Sequence, residues 1–157
     1  MKVTLIWVGK TSESYFEEAI AVYTKRLGRY LPFRIVSIPD VKTGTKVDVL
    51  SQKQREGIQI LAALRPADEL VLWDESGEEL SSTGLAQWLS SKMVAGTRSL
   101  VFCIGGPYGF STDVYERAVA KLSLSRMTFS HQMVRVIALE QVYRAMTIIK
   151  GEPYHHV

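Results

Sequence analysis

Cysteine is almost missing from this chain. Cys103 stands alone, so no internal disulfide can form, and its place in the apolar run Val101–Ile104 makes it a packed thiol rather than a reactive one. Metal-ligand spacing is missing as well. His131, His155 and His156 have neither helical ligand spacing nor Cys or acid partners, which speaks against a metal site. No apolar run approaches the roughly 18–20 residues of a membrane span. The apolar start Val3–Val8 stops at Gly9-Lys10, too short for a secretion signal, so the expectation is a cytoplasmic protein with no membrane partner. The glycines at 105, 106 and 109 do not form G-x-G-x-x-G, and no Walker lysine follows them, so no dinucleotide or nucleoside triphosphate is indicated. Repeats, low-complexity tracts and linkers are absent too. The 157 residues, 46% hydrophobic and 22% charged, are enough to bury one core and are expected to form a single domain over 1–157.

Charge is present but unevenly placed. Residues 1–67 carry 11 Lys/Arg against 6 Asp/Glu, residues 68–116 carry 2 against 8, and residues 117–157 carry 6 against 2. Basic ends therefore flank an acidic middle. The net charge of +3 permits an anionic partner such as RNA but is too small to give strong phosphate binding by itself.

Hydrophobic periodicity alternates between strand and helix. Strands are expected at about 2–8, 33–38, 70–73 and 100–104, the third ending in a turn at Asp74-Glu75-Ser76-Gly77. Helices are expected from Thr11-Ser12-Glu13 to Gly28, over 48–63, from Ser82 or Thr83 onward, from Ser111-Thr112-Asp113, and over 133–149. The segment Lys42-Thr43-Gly44-Thr45-Lys46 reads as a mobile basic loop, and Leu122–Ser125 as a short alternating run. This order predicts an α/β fold, a mostly parallel sheet with helices on both faces. Ligands in such sheets sit beyond the carboxyl ends of strands, which puts Trp73-Asp74 and Ile104-Gly105-Gly106 forward as candidates.

On the residues alone, two readings of the glycine-rich bend stand: a tight structural turn, or a loop whose backbone N–H groups meet a ligand. Asp74 and Glu75 could serve as general acids or bases, but in a turn followed by Gly77 such residues are more often solvated. Arg144 follows Glu140 at i, i+4, the spacing of a helix-surface ion pair.

Several segments, taken in order, point further. Phe129-Ser130-His131-Gln132-Met133-Val134-Arg135-Val136 runs on to Glu140-Gln141-Val142-Tyr143-Arg144-Ala145. With Ile104-Gly105-Gly106-Pro107-Tyr108-Gly109, the Tyr154-His155 ending, Val8-Gly9-Lys10 and Glu56-Gly57, it resembles the ribosomal RNA large subunit methyltransferase H family over the whole chain. These are SPOUT-class enzymes that methylate N3 of a pseudouridine in helix 69 of 23S rRNA. The resemblance implies a trefoil knot in the C-terminal segment, a homodimer, and 23S rRNA within a ribosome or 50S subunit as partner, with no DNA. It implies S-adenosyl-L-methionine as cofactor, held by Trp73, Gly105, Leu124, Ser125, Arg126, Met127, Thr128 and Phe129. Arg144, Tyr154 and His155 are implied at the target nucleotide.

Three positions depart from the family pattern: Ser130 where proline often precedes the histidine, Trp73 where an aliphatic residue is common, and His156-Val157 where Lys or Arg often follows the Tyr-His pair. The chemistry implied needs an in-line methyl transfer and removal of an imide proton. His155 could take that proton. Arg144 could stabilise the imidate anion, and Tyr154 could stack on a base. Two other functions remain compatible with the residues: a non-catalytic ribosome-associated RNA-binding protein, which would share the charge pattern but not need a cofactor cleft, and a small-molecule α/β enzyme, which would need neither basic end.

Overall fold

A computed structural model describes residues 1–41 and 48–156; the basic loop expected at Lys42–Lys46 and the terminal Val157 lie outside the described residues. The strands are β1 (Lys2–Val8), β2 (Phe33–Ile38), β3 (Glu69–Glu79), β4 (Ser99–Ile104) and β5 (Ala120–Ser123). They alternate with the helices α1 (Ser14–Leu27), α2 (Val49–Ala62), α3 (Ser82–Val94), α4 (Thr112–Arg117) and α5 (Met133–Ile149). Among the described residues the strands form one sheet in the order β2-β1-β4-β3-β5, every pairing parallel.

Parallel strands need crossovers, and the helices that make them cover both faces. Each strand therefore divides its side chains between two cores. Leu5, Val71, Phe102 and Leu122 meet Leu27 of α1, Leu85 and Leu89 of α3, and Ala138 and Val142 of α5 on one face. Ile6, Leu70, Leu72, Val101 and Cys103 meet Ile60 of α2 and Val114 of α4 on the other. Removing such side chains from water contributes about 1.5–3 kcal/mol each. Cys103 is fully buried, and burial pushes its thiol far above the ordinary range, so it is inert.

Two local readings are corrected. β3 does not stop at Trp73. Leu122 of β5 pairs with both Trp73 and Glu78, so residues 74–77 leave the ladder as a bulge and the strand then resumes. The Asp74 carboxylate accepts from Ser76 N (2.8 Å) and Ser76 Oγ (2.5 Å), closing the bulge, while a Cβ on Gly77 would lie 2.6 Å from the Leu122 backbone. The start of α1 also differs. Thr11, Ser12 and Glu13 do not cap it with their own side chains; Gln132, just ahead of α5, accepts from Ser12 N (2.9 Å) and Glu13 N (3.2 Å). Orphan N–H groups at a helix start need an acceptor, and tertiary structure supplies this one.

Candidate functional site

The bulge of β3 and the carboxyl ends of β4 and β5 open into one cavity of about 680 Å³. Its walls are Trp73–Ser76, the glycine loop Ile104–Phe110, and the run Ser123–His131 without Arg126, with Val134 of α5 at the back. Of the cofactor residues implied by the resemblance, Trp73, Gly105, Leu124, Ser125, Met127, Thr128 and Phe129 all line it. Arg126 does not: its side chain is 88% exposed and its Nε pairs with Glu79 at 2.7 Å. Sequence order alone cannot separate residue 126 from its neighbours, because the chain here is a series of bends with no fixed side-chain period.

The loop is shaped by what its glycines lack. Gly109 has φ +77°, a left-handed conformation that glycine adopts freely, and its N–H donates to Gly106 O at 3.1 Å. A Cβ on Gly105 would lie 3.1 Å from the ring of Phe110, itself buried in the α2/α4 core. Trp73 stacks on Phe102, ring centroids 5.3 Å apart, so the bulkier residue at this position is absorbed by the core. Ser125 Oγ accepts from Met127 N (2.9 Å) and Ser130 Oγ from Met133 N (3.2 Å), so the run after β5 is held by its own hydroxyls and Ser130 supports the start of α5.

Asp74 and Glu75 also line the cavity, Asp74 half-buried and Glu75 exposed, as the candidate position at Trp73-Asp74 implied. Burial pushes the Asp74 carboxyl upward, but hydrogen bonds from Ser76 and from Tyr115 Oη (2.6 Å) outweigh it and hold the group below the ordinary range. Tyr115 is pushed up to about 12 by burial and by Asp74. The pair is thus a fixed carboxylate and a neutral phenol.

Arg144, Tyr154 and His155 do come together, but elsewhere. Glu140 Oε1 accepts from Arg144 Nε (3.0 Å), Arg144 Nη2 (2.5 Å) and Tyr154 Oη (3.2 Å), and Arg144 lies over the Tyr154 ring at 4.8 Å. The helix-surface ion pair read from spacing is therefore present, extended by the tail. The Glu140 hydrogen bond raises the Arg144 pKa further, and burial with Tyr23 and Glu140 keeps Tyr154 protonated far above its ordinary range. Arg144 Nη1 lies 3.3 Å from His155 Nδ1. A guanidinium only donates, so Nδ1 accepts, and a neutral ring then carries its proton on Nε2.

Sequence reasoning missed what holds this tail. Tyr30 Oη donates to Glu152 Oε2 at 2.5 Å, Tyr143 packs edge-on to Tyr154 with centroids 4.8 Å apart, and Arg26 sits over Tyr143 at 5.5 Å. Tyr23 and Arg26 in the last turns of α1, with Tyr30 just beyond its end, were the available signal. Neither Arg144, Tyr154 nor His155 lines the cavity. About ten residues of α5 separate Arg144 from Val134, roughly 15 Å of helix.

A parallel α/β sheet with a glycine loop and a bent run meeting at one cavity is the architecture, and comparison with known proteins gives its class. The family model described as "Predicted SPOUT methyltransferase" matches residues 1–155, and the chain belongs to the SPOUT methyltransferase family. Among its relatives, the protein named "Ribosomal RNA large subunit methyltransferase H" in Parabacteroides distasonis is 53% identical over 156 residues, 99% of each chain. The proteins of that name in Cytophaga hutchinsonii and Flavobacterium psychrophilum are 53% and 48% identical, over 99% of this chain and 100% and 99% of theirs.

Proposed function

We propose that this protein is an S-adenosyl-L-methionine-dependent ribosomal RNA methyltransferase that acts in the cytoplasm on N3 of a pseudouridine in helix 69 of 23S rRNA, on an assembled ribosome or 50S subunit. The relatives' printed name supports the rRNA substrate. The cavity supports the cofactor: its size suits a nucleoside-sized ligand, its lining mixes apolar and polar groups, and its glycines leave the room that side chains would take. When bound, S-adenosyl-L-methionine supplies the methyl group and its leaving group together. Gly105, Leu124, Ser125, Met127, Thr128 and Phe129 hold it, with Trp73 just ahead of the β3 bulge. The trefoil threading of the segment after β5 belongs to the same reading.

One observation carries the assignment of roles. The cavity and the Arg144/Tyr154/His155 cluster lie at opposite ends of α5, so one chain cannot bring its own tail to its own cavity without rebuilding the helix. We therefore read the active unit as a homodimer in which the tail of one protomer reaches the cavity of its partner. The exposed apolar residues around the cavity, Met127 (77% exposed), Phe129 (39%) and Met133 (41%), are suited to such an interface. Within the cluster, Arg144 faces the charge that develops on the base. Tyr154 offers a ring for stacking. His155, with Nδ1 taken by Arg144, offers Nε2–H to a base carbonyl instead of accepting the imide proton.

Mass mapping of methylated nucleosides in 23S rRNA, with and without the gene, tests the reaction. Loss of one methylpseudouridine in helix 69 is the expected result, and an unchanged map would overturn the assignment. Mixing Gly105→Val and Arg144→Ala proteins tests the division of labour. Each is expected to be strongly impaired alone, and their mixed dimer to regain activity through its one intact pairing.

A further inference from the structure

Glu56 is a carboxylate in the wrong place for a surface helix residue. It sits in α2, 4% exposed, and burial pushes its carboxyl above the ordinary range against the opposing pull of a hydrogen bond from Gln52 Nε2 to Oε1 at 2.9 Å. Burying such a group costs stability unless hydrogen bonds or a partner charge offset it.

What it touches is the glycine loop. A Cβ on Gly106 would lie 2.4 Å from Glu56 Oε2, 2.9 Å from its Cδ and 2.9 Å from Oε1, so the carboxyl group occupies the space where a side chain at 106 would be. Backbone conformation does not require glycine there: Gly106 is not among the positive-φ glycines, which are Gly9, Gly96, Gly109 and Gly151. The Glu56 carboxyl group is thus what a side chain at 106 would have to displace. The next residue of α2 works by the opposite means. A Cβ on Gly57 would lie 2.2 Å from Ser111 Oγ, so a missing side chain lets α2 approach the far end of the same loop. The pair Glu56-Gly57 grips both ends of residues 106–111, pressing one and making room for the other.

We propose that Glu56 is a positioning residue for the cofactor loop: its flat carboxyl group, oriented by Gln52, wedges Gly106 from behind and sets the wall of the cavity. This rests on the reading of the cavity as the S-adenosyl-L-methionine site. Glu56 does not line the cavity and acts only through Gly106.

The test is a four-protein cycle of wild type, Glu56→Ala, Gly106→Ala and the double variant. Each is titrated with S-adenosyl-L-methionine by calorimetry and melted without ligand. Glu56→Ala leaves a void behind the loop and should weaken binding about tenfold. Gly106→Ala drives a methyl group into the carboxyl and should weaken it about 10²-fold and lower the melting temperature. In the double variant the methyl group enters the space the carboxyl vacated, so affinity should recover about tenfold over Gly106→Ala, and the melting temperature should rise with it. Glu56→Gln keeps the flat shape and should bind within about threefold of wild type. Additive losses in the double variant, or wild-type affinity in Glu56→Ala, would overturn the wedge. A wild type that binds no S-adenosyl-L-methionine, with coupled melting temperatures, would overturn the cofactor reading and with it the role of Glu56 in binding, while the steric pairing of 56 with 106 would stand.

Discussion

The two ends of α5 are built on opposite principles. Around Val134 the cavity sets glycine-loop backbone and apolar side chains beside polar groups already bonded to one another, and its loop depends on side chains that are absent at 105 and 106. Around Arg144 the surface is made of functional groups joined in series, Tyr30 to Glu152 and Glu140 to Arg144, Tyr154 and on to His155. A site defined by empty space is damaged by adding atoms. A site defined by polar contacts is damaged by removing them. The first suits a ligand that must be held in one pose, and the second suits a transition state whose charge differs from that of the ground state.

This contrast can be broken in order of severity. Gly105→Val should reduce S-adenosyl-L-methionine affinity about 10²-fold by forcing a branched side chain against Phe110. Calorimetry reads this, and an unchanged affinity would remove Gly105 from the cavity wall. Arg144→Ala should cost about 10²-fold in turnover, the scale of one lost charge-stabilising donor, with cofactor affinity unchanged. Tritiated methyl transfer to ribosomes, paired with calorimetry, separates the two, and a matching loss of affinity would join the two ends that the geometry keeps apart. Tyr30→Phe removes the hydrogen bond to Glu152 and should lower turnover roughly tenfold, again without touching cofactor binding. His155→Asn keeps a side-chain N–H and should retain several-fold more turnover than His155→Ala; equal losses would return the proton-acceptor role to the imidazole.

The smallest effect is on stability. The Glu56 carboxyl has a folded-state pKa above its unfolded value, so its contribution is present at low pH and is lost as pH rises through the folded value. Glu56→Gln escapes that loss. Its melting temperature should exceed that of wild type at neutral pH, and the gap should close as pH falls into the ordinary carboxylate range. Thermal melts across pH check this, and a gap independent of pH would mean that Glu56 is not charged against its surroundings.

Elements whose signal is local were legible in the sequence. β2 at 33–38 and α5 at 133–149 fall where periodicity puts them, because a half-buried strand and a long amphipathic helix write their burial into side-chain spacing. Asp74–Gly77 reads as a turn for sound reasons, and it does leave the ladder; only Leu122, some forty-five residues on, brings the strand back. The Glu140–Arg144 pair was visible as i, i+4, but not the tyrosine that joins it from the tail. Arg126 belongs to the right segment yet points away from the cavity. Glu56 shows the limit most clearly, since an acid on a polar helix gives no sign of burial until Gly106 is placed against it.

Arg135 closes the fold at a long remove. Its guanidinium, 1% exposed, donates to Val8 O (2.7 Å) and Thr11 Oγ1 (2.8 Å) and lies over the Trp7 ring at 5.1 Å, while Gln132 holds the start of α1. These contacts join the first strand to the last helix, across more than a hundred residues in each case. Pairings so distant in sequence form late. A nascent chain can build β1, α1 and β2 as they emerge, but the cap on α1 and the back wall of the cavity must wait for residues 132–135 to clear the exit tunnel. Assembly of the cavity is thereby tied to synthesis of residues 132–135, and a chain truncated before them would lack the cavity's back wall.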